Sequence, residues 1–259
     1  MIQSFTRQVI NMGRSLFGAI AFYTCIPIPH TWTEFTIIAR FAVLIGLLIG
    51  GILSLIDISL EFLHIPILTR SALTIMSGIM ITGGLHLDGV IDTGDGLGVQ
   101  EEKRRLEVMS DSKTGAFGVI AGICLIVLKI CALSELNKYR WLILILAGGW
   151  GRWGQIVAIA FYPYLKITGK GAFHKEAIRN VDVILGLGLM LTISGIMGYG
   201  INNFILVLIT SIIGIAIALI IPNWFNHKLG GHTGDTYGAV VEWTEALFLC
   251  FILMQKLSG

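Results

Sequence analysis

Apolar residues in this chain come in long unbroken blocks instead of the one-sided stripes of a soluble helix. Blocks at about 35–56, 67–87, 114–134, 141–163, 181–199, 203–222 and 238–256 are each close to the ~20 residues that cross a bilayer's hydrocarbon core. Residues 183–227 contain no Asp, Glu, Lys or Arg, a stretch too long for one crossing. Gly198-Tyr199-Gly200 with Asn202-Asn203 therefore predicts a turn between two spans. A shorter run from Leu16 to Ile28 follows Arg7 and Arg14, carries Pro27 and is closed by Pro29. It lacks a small-residue cleavage site and reads as a re-entrant or interfacial helix. The expected fold is an all-α, polytopic integral membrane bundle of about seven transmembrane helices plus this N-terminal segment.

Composition agrees. Of 259 residues 55% are hydrophobic and 13% charged, with mean hydropathy +0.82, against ~25% charged in soluble domains. A net charge of +2 gives no footprint for nucleic acid, and membrane lipid is the expected surrounding. Five prolines and no Ser- or Gln-rich tract leave no linker, so residues 1–259 read as a single transmembrane catalytic domain. Cys25, Cys124, Cys131 and Cys250 stand alone in apolar segments and read as buried free thiols.

Basic residues orient the spans. With the N-terminus in the cytoplasm, the inner segments hold Arg7, Arg14, Lys103, Arg104, Arg105, Lys113, Lys166, Lys170, Lys175, Arg179 and Lys228. The outer segments hold Arg70, Lys138, Arg140 and Lys256, while Arg40, Lys129 and Arg152 fall within spans. Eleven against four puts the loops at 88–113, 164–180 and 223–237 on one side. The expected location is the cytoplasmic (inner) membrane with those loops facing the cytoplasm.

The same loops carry the polar residues that need a reason. Asp88, Asp92 and Asp95 are spaced i, i+4, i+7, so on a helix they share ~60° of arc. Stacked carboxylates repel, and hard oxygen ligands on consecutive turns suit Mg²⁺. Asp111-Ser112-Lys113-Thr114-Gly115 follows, just ahead of an apolar run. Helix N-termini favour anions, Lys113 adds a mobile cation, and Asp111 reads as a further metal ligand; plain capping by Ser112 or Thr114 is the competing reading.

A third cluster runs from Lys228 through Gly230, Gly231, His232, Thr233, Gly234 and Asp235 to Glu242 and Glu245. Its glycines would let backbone amides approach a phosphate. Two glutamates in an apolar helix need partners, and Arg152 is the expected counter-charge, an Arg152–Glu245 ion pair being the structural alternative to a site role. His232 reads as a base or phosphate donor. His86 points away from the aspartate face and reads as packing, Lys129 as snorkelling, and His30, His64, His174 and His227 give no signal.

Taken in order, these motifs carry a resemblance. Leu-His-Leu-Asp88-Gly-x-x-Asp92-x-x-Asp95-Gly-Leu, then Met-x-Asp111-Ser-Lys-x-Gly-x-Phe-Gly, then Gly-Gly-x-Thr-Gly-Asp235-x-x-Gly-Ala-x-x-Glu242, are similar to the cobalamin synthase family, also called adenosylcobinamide-GDP ribazoletransferases. Phe22-Tyr-Thr-x-x-Pro-x-Pro29, Gly-Arg152-Trp and Pro163-Tyr164 fit as well, and Lys113 stands where the family often has Arg. The resemblance implies an Mg²⁺-dependent transferase. It would join adenosylcobinamide-GDP to α-ribazole or α-ribazole 5′-phosphate, release GMP and complete the nucleotide loop of cobalamin.

It also implies roles. Asp88, Asp92, Asp95 and Asp111 would hold the metal, and Asp92, Asp235 and His232 would act in catalysis. Ser112, Lys113, Gly115, Arg152, Lys228, Gly230, Gly231, Thr233, Glu242 and Glu245 would bind substrate. Association into a homo-oligomer or with other cobalamin assembly enzymes is left open.

Three other readings compete. Asp92-Thr-Gly-Asp95-Gly96 matches the start of a CDP-alcohol phosphotransferase motif whose remainder is missing. A membrane prenyltransferase would show a second compact Asp-rich repeat. A cation-coupled transporter would carry acids across the span and show an inverted repeat, and neither is visible.

Overall fold

The computed structural model describes residues 2–166 and 171–254, with residues 2–9 described by backbone alone. Lys170 and Lys256, counted in the charge bias, lie outside the described residues, as does the end of the 238–256 span. The side chain of Arg7 is not described. Helix α1 spans Ile2–Tyr23, α2 Ala42–Phe62, α3 Ile67–Ile81, α4 Leu85–Gly98, and α5 is the single turn Arg105–Val108. Then come α6 Ala116–Glu135, α7 Arg140–Phe161, the short α8 Ala172–Ala177, α9 Asn180–Gly200, α10 Phe204–Leu229 and α11 Gly234–Leu253. Among the described residues there is no strand. One isolated bridge joins Tyr164 to His232.

Six helices are long and apolar enough to cross a membrane: α2 with the turn at 38–41 before it, α6, α7, α9, α10 and α11. The seventh expected span, 67–87, is present only as a broken pair: α3 and α4 together are long and apolar enough to cross, and the chain bends by 92° between them. Gly83 and Gly84 both adopt positive φ, 60° and 71°, a pair of left-handed residues that ends one helix and starts another. The N-terminal segment differs too. It is one helix from Ile2 to Tyr23, starting well before the apolar run and outside the six.

Helix α7 is the core, with 94% of its apolar window buried. Small residues let its neighbours approach. A side chain on Gly46 of α2 would strike the Gly148 carbonyl of α7, and one on Gly50 would come within 2.7 Å of the Ile145 Cα. Without a hydrophobic drive between helices in lipid, such contact is what associates them. At one end Asp57 ties α2, α3 and α7: Arg140 Nη2 and Nε donate to it at 2.6 and 2.9 Å, and Arg70 Nε lies 3.5 Å away.

The other end gathers the polar loops. Leu165 donates to the His232 carbonyl and His232 to the Pro163 carbonyl, both at 2.8 Å. Arg105 Nη1 donates to the Lys228 carbonyl at 2.8 Å. Arg40, expected inside a span, sits in the turn before α2 and donates to the Ala177 carbonyl at 2.7 and 3.0 Å. Lys175 donates to the carbonyls of Ile159, Ala160 and Tyr162 at 2.7, 3.0 and 2.9 Å. A cation there satisfies the orphan carbonyls of α7 and complements its dipole.

Candidate active site

Helix α4 crosses the start of α11 at two glycines. A side chain on Gly89 would collide with the Asp235 carbonyl, and one on Gly238 would come within 3.1 Å of the His86 Cα. This crossing brings the acids of α4 to the acid of α11. Asp88 and Asp235 line one cavity of about 180 Å³, whose walls come from Phe22 and Tyr23 of α1, His86, Gln155 of α7, His174 of α8 and Tyr237 of α11. Asp92 is half-buried beside it, under the combined charge of Asp88, Asp235 and Asp95, opposed by Lys166. Lys166 Nζ donates to Asp235 Oδ2 at 3.1 Å, and Thr233 Oγ1 donates to the same oxygen at 3.2 Å. Among the described residues Asp235 Oδ1 has no partner.

All three α4 aspartates lie on one helix, as the spacing requires, but they do not converge. Asp95 is buried and accepts from Gly115 N–H through Oδ2 and Gly118 N–H through Oδ1, both at 2.7 Å. It caps α6 from another helix, in place of the competing reading of capping by Ser112 or Thr114, so both of its oxygens already serve backbone N–H groups and not a metal. The Gly115 N–H, expected to face substrate, is committed to the same bond. Asp111 Oδ1 accepts from the Lys113 backbone N–H at 3.0 Å, and Asp111, Ser112 and Lys113 form an exposed turn. Among the described residues no three His, Cys, Asp or Glu side chains converge as a metal cluster.

The third cluster divides. Thr233 and Asp235 belong to the cavity mouth, Thr233 also capping α11. Lys228 is exposed, and its carbonyl serves Arg105. Gly230 closes α10 at φ 81°, and Gly231 packs against the Pro163 carbonyl, so these glycines make a turn and a loop bridge. His232 is fully buried with both ring nitrogens in contact, Nδ1 with Thr236 Oγ1 at 3.0 Å and Nε2 with the Pro222 carbonyl at 3.1 Å. Burial pushes it down to about 4. With no nitrogen free, it is a strut and not a base.

Glu242 and Glu245 lie deeper, and their direct counter-ion is not Arg152, whose charge reaches Glu245 without an ion-pair contact, which corrects the expected pairing. Lys129 is: its Nζ donates to Glu242 at 2.6 Å and to Glu245 at 2.7 Å. Lys129 is 6% exposed and does not snorkel. Arg152 instead donates to His86 Nε2 and lies over the Tyr23 ring, 5.1 Å from its centre.

Sequence reasoning therefore missed several residues of the cavity. Lys166 was counted only for its charge, His86 as packing, and His174 as silent. Tyr23, Gln155 and Tyr237 gave no spacing signal, because each comes from a different helix. Among the described residues, five buried polar atoms of side chains lining this cavity have no hydrogen-bond partner: Tyr23 Oη, His86 Nδ1, Gln155 Oε1, His174 Nδ1 and Tyr237 Oη. An orphan of this kind costs ~1–3 kcal/mol, so five around one cavity mark a place evolved for something other than stability.

The profile of the cobalamin-5-phosphate synthase family matches residues 15–253. An adenosylcobinamide-GDP ribazoletransferase of Trichormus variabilis is 56% identical over 92% of this chain and 96% of its own length. One of Synechococcus elongatus is 48% identical over 93% and 96%, and one of Thermosynechococcus vestitus 44% over 92% and 96%. No solved structure matches. With nearly the whole chain covered, cavity and capping residues included, the protein belongs to the cobalamin-5-phosphate synthase family.

Proposed function

We propose that the chain joins adenosylcobinamide-GDP to α-ribazole or its 5′-phosphate, releases GMP and completes the cobalamin nucleotide loop at the site on α4 and α11. The observation that carries this reading is the meeting of Asp88, Asp92 and Asp235 with Lys166 at the mouth of a buried polar cavity. A ribose hydroxyl of ribazole bonds to the phosphorus next to cobinamide, the bond from that phosphorus to the bridging oxygen breaks, and GMP leaves. The hydroxyl proton goes to Asp235. Its Oδ2 is fixed by Lys166 and Thr233, and Oδ1 is free to accept.

Mg²⁺ fits the donor set, because this ion takes few protein carboxylates and completes its shell with water and phosphate oxygens. Asp88 and Asp92, neither with a hydrogen-bond donor among the described residues, would hold it, and it would neutralise the diphosphate. Asp95, each oxygen already accepting a backbone N–H, is left out of this set. The site end of the bundle is assigned to the cytoplasm of the inner membrane on the charge bias. A cysteine at Gln100 should then react with reagents only from that side. The activity test is direct. Purified protein with Mg²⁺ and both substrates should release GMP in proportion to cobalamin formed, whereas a transporter would leave the nucleotide intact.

A further inference from the structure

The cavity behind the carboxylates has a chemistry of its own. Tyr23, His86, Gln155, His174 and Tyr237 line it, none more than 5% exposed and each with a polar atom lacking a partner. None of the five carries a formal charge at neutral pH; burial keeps His174 down at about 4. Arginine has donors only, so its bond to His86 Nε2 places the ring proton of His86 on Nδ1, the atom left facing the cavity. The wall thus offers a fixed donor at His86, a fixed acceptor at Gln155 Oε1, and two tyrosine hydroxyls that do either. The rings also stack. Tyr23 lies 6.1 Å from His86 at 20° and 6.5 Å from His174 at 16°.

Charge separates this wall from its mouth. Phosphate oxygens belong with Lys166 and a cation held by the aspartates, and they gain nothing from a neutral wall. A volume of about 180 Å³ accepts a heterocycle or a ribose and leaves no room for a corrin.

We infer that this cavity binds the uncharged nucleoside part of a substrate, its heterocycle against the Tyr23–His86–His174 column and its polar edge on Gln155 and Tyr237. The inference rests on the proposed function for the identity of the nucleoside, which has two sources: the guanosine of the activated substrate and ribazole. The geometry requires one of them.

The test measures binding, not turnover. Wild type, Tyr237→Phe and Gln155→Leu, each in nanodiscs without Mg²⁺, would be titrated with guanosine, with α-ribazole and with inorganic phosphate by calorimetry. Retained thermal transitions would confirm that the variants fold, and Lys103→Ala, in the exposed turn before α5 and away from the cavity, is the matched control. Expected is saturable binding of one nucleoside, weakened at least about 10-fold in both cavity variants and unchanged in Lys103→Ala, with no binding of phosphate. Which nucleoside binds assigns the subsite. Binding of neither, or binding that both cavity variants leave intact, overturns the inference even where GMP release is normal. A protein that binds the nucleoside but never releases GMP would fail the proposed function and keep this subsite.

Discussion

Lys166 Nζ lies 3.1 Å from Asp235 Oδ2, joining the loop after α7 to the first turn of α11 at the cavity mouth. Both groups are about a quarter to a third exposed, so the pair contributes little to stability, typically under ~1 kcal/mol. Its value lies in holding one carboxylate oxygen so that the other is presented. Replacing Lys166 with Ala is expected to lower kcat about 10- to 100-fold with a small change in melting temperature, and Lys166→Arg to recover part of it. Steady-state GMP release beside thermal melts checks this. Full activity in Lys166→Ala would remove the positioning role.

Asp95 and Asp92 should separate cleanly. Asp95 accepts two backbone N–H groups at 2.7 Å, so Asp95→Asn turns one acceptor into a donor facing an amide. The expected loss is about 2–3 kcal/mol of stability, read as a lower Tm in detergent, with substantial activity per folded molecule. A variant that melts like wild type yet has lost metal dependence would put Asp95 back among the ligands.

Lys129 bridges two carboxylates, the buried Glu242 and the half-buried Glu245. Lys129→Met leaves both charges unpaired and should cost about 3–5 kcal/mol, seen as poor yield of folded protein from membranes. Adding Glu242→Gln and Glu245→Gln should recover most of that yield. A single Lys129→Met variant as stable as wild type would contradict the pairing.

Acid sensitivity follows from His232. Burial holds it at about 4 against an ordinary 6.5, so the unfolded chain binds more protons between those values. Its contribution is therefore fully present above pH 6.5 and is lost as pH falls towards 4, by at most about 3 kcal/mol. His174, depressed in the same way, acts with the same sign. Melting temperature should be flat above about pH 7 and fall below about 6, and His232→Gln should flatten that acid limb. Identical acid limbs in the two proteins would refute it.

Much of this was legible in the sequence because membrane helices announce themselves by length and apolarity, and the i, i+4, i+7 aspartates do share α4. What failed were inferences about partners. Sequence offers Arg152 as the counter-charge for the glutamates because it lies in an apolar span, yet the bundle brings Lys129 into contact with both and Arg152 to His86. The 67–87 span concealed a 92° bend at Gly83-Gly84, since hydropathy is blind to φ. The cavity wall was invisible for a simpler reason: Tyr23, Gln155, His174 and Tyr237 are set beside one another only by packing.

The central claim is that Asp88 and Asp92 hold a cation against the diphosphate in front of Asp235. The most direct test is GMP release by Asp92→Asn, inserted and folded in nanodiscs, across a Mg²⁺ titration. The account predicts a loss of at least about 100-fold, or ~2.7 kcal/mol, at every magnesium concentration. Near wild-type release with an unchanged magnesium dependence would contradict it.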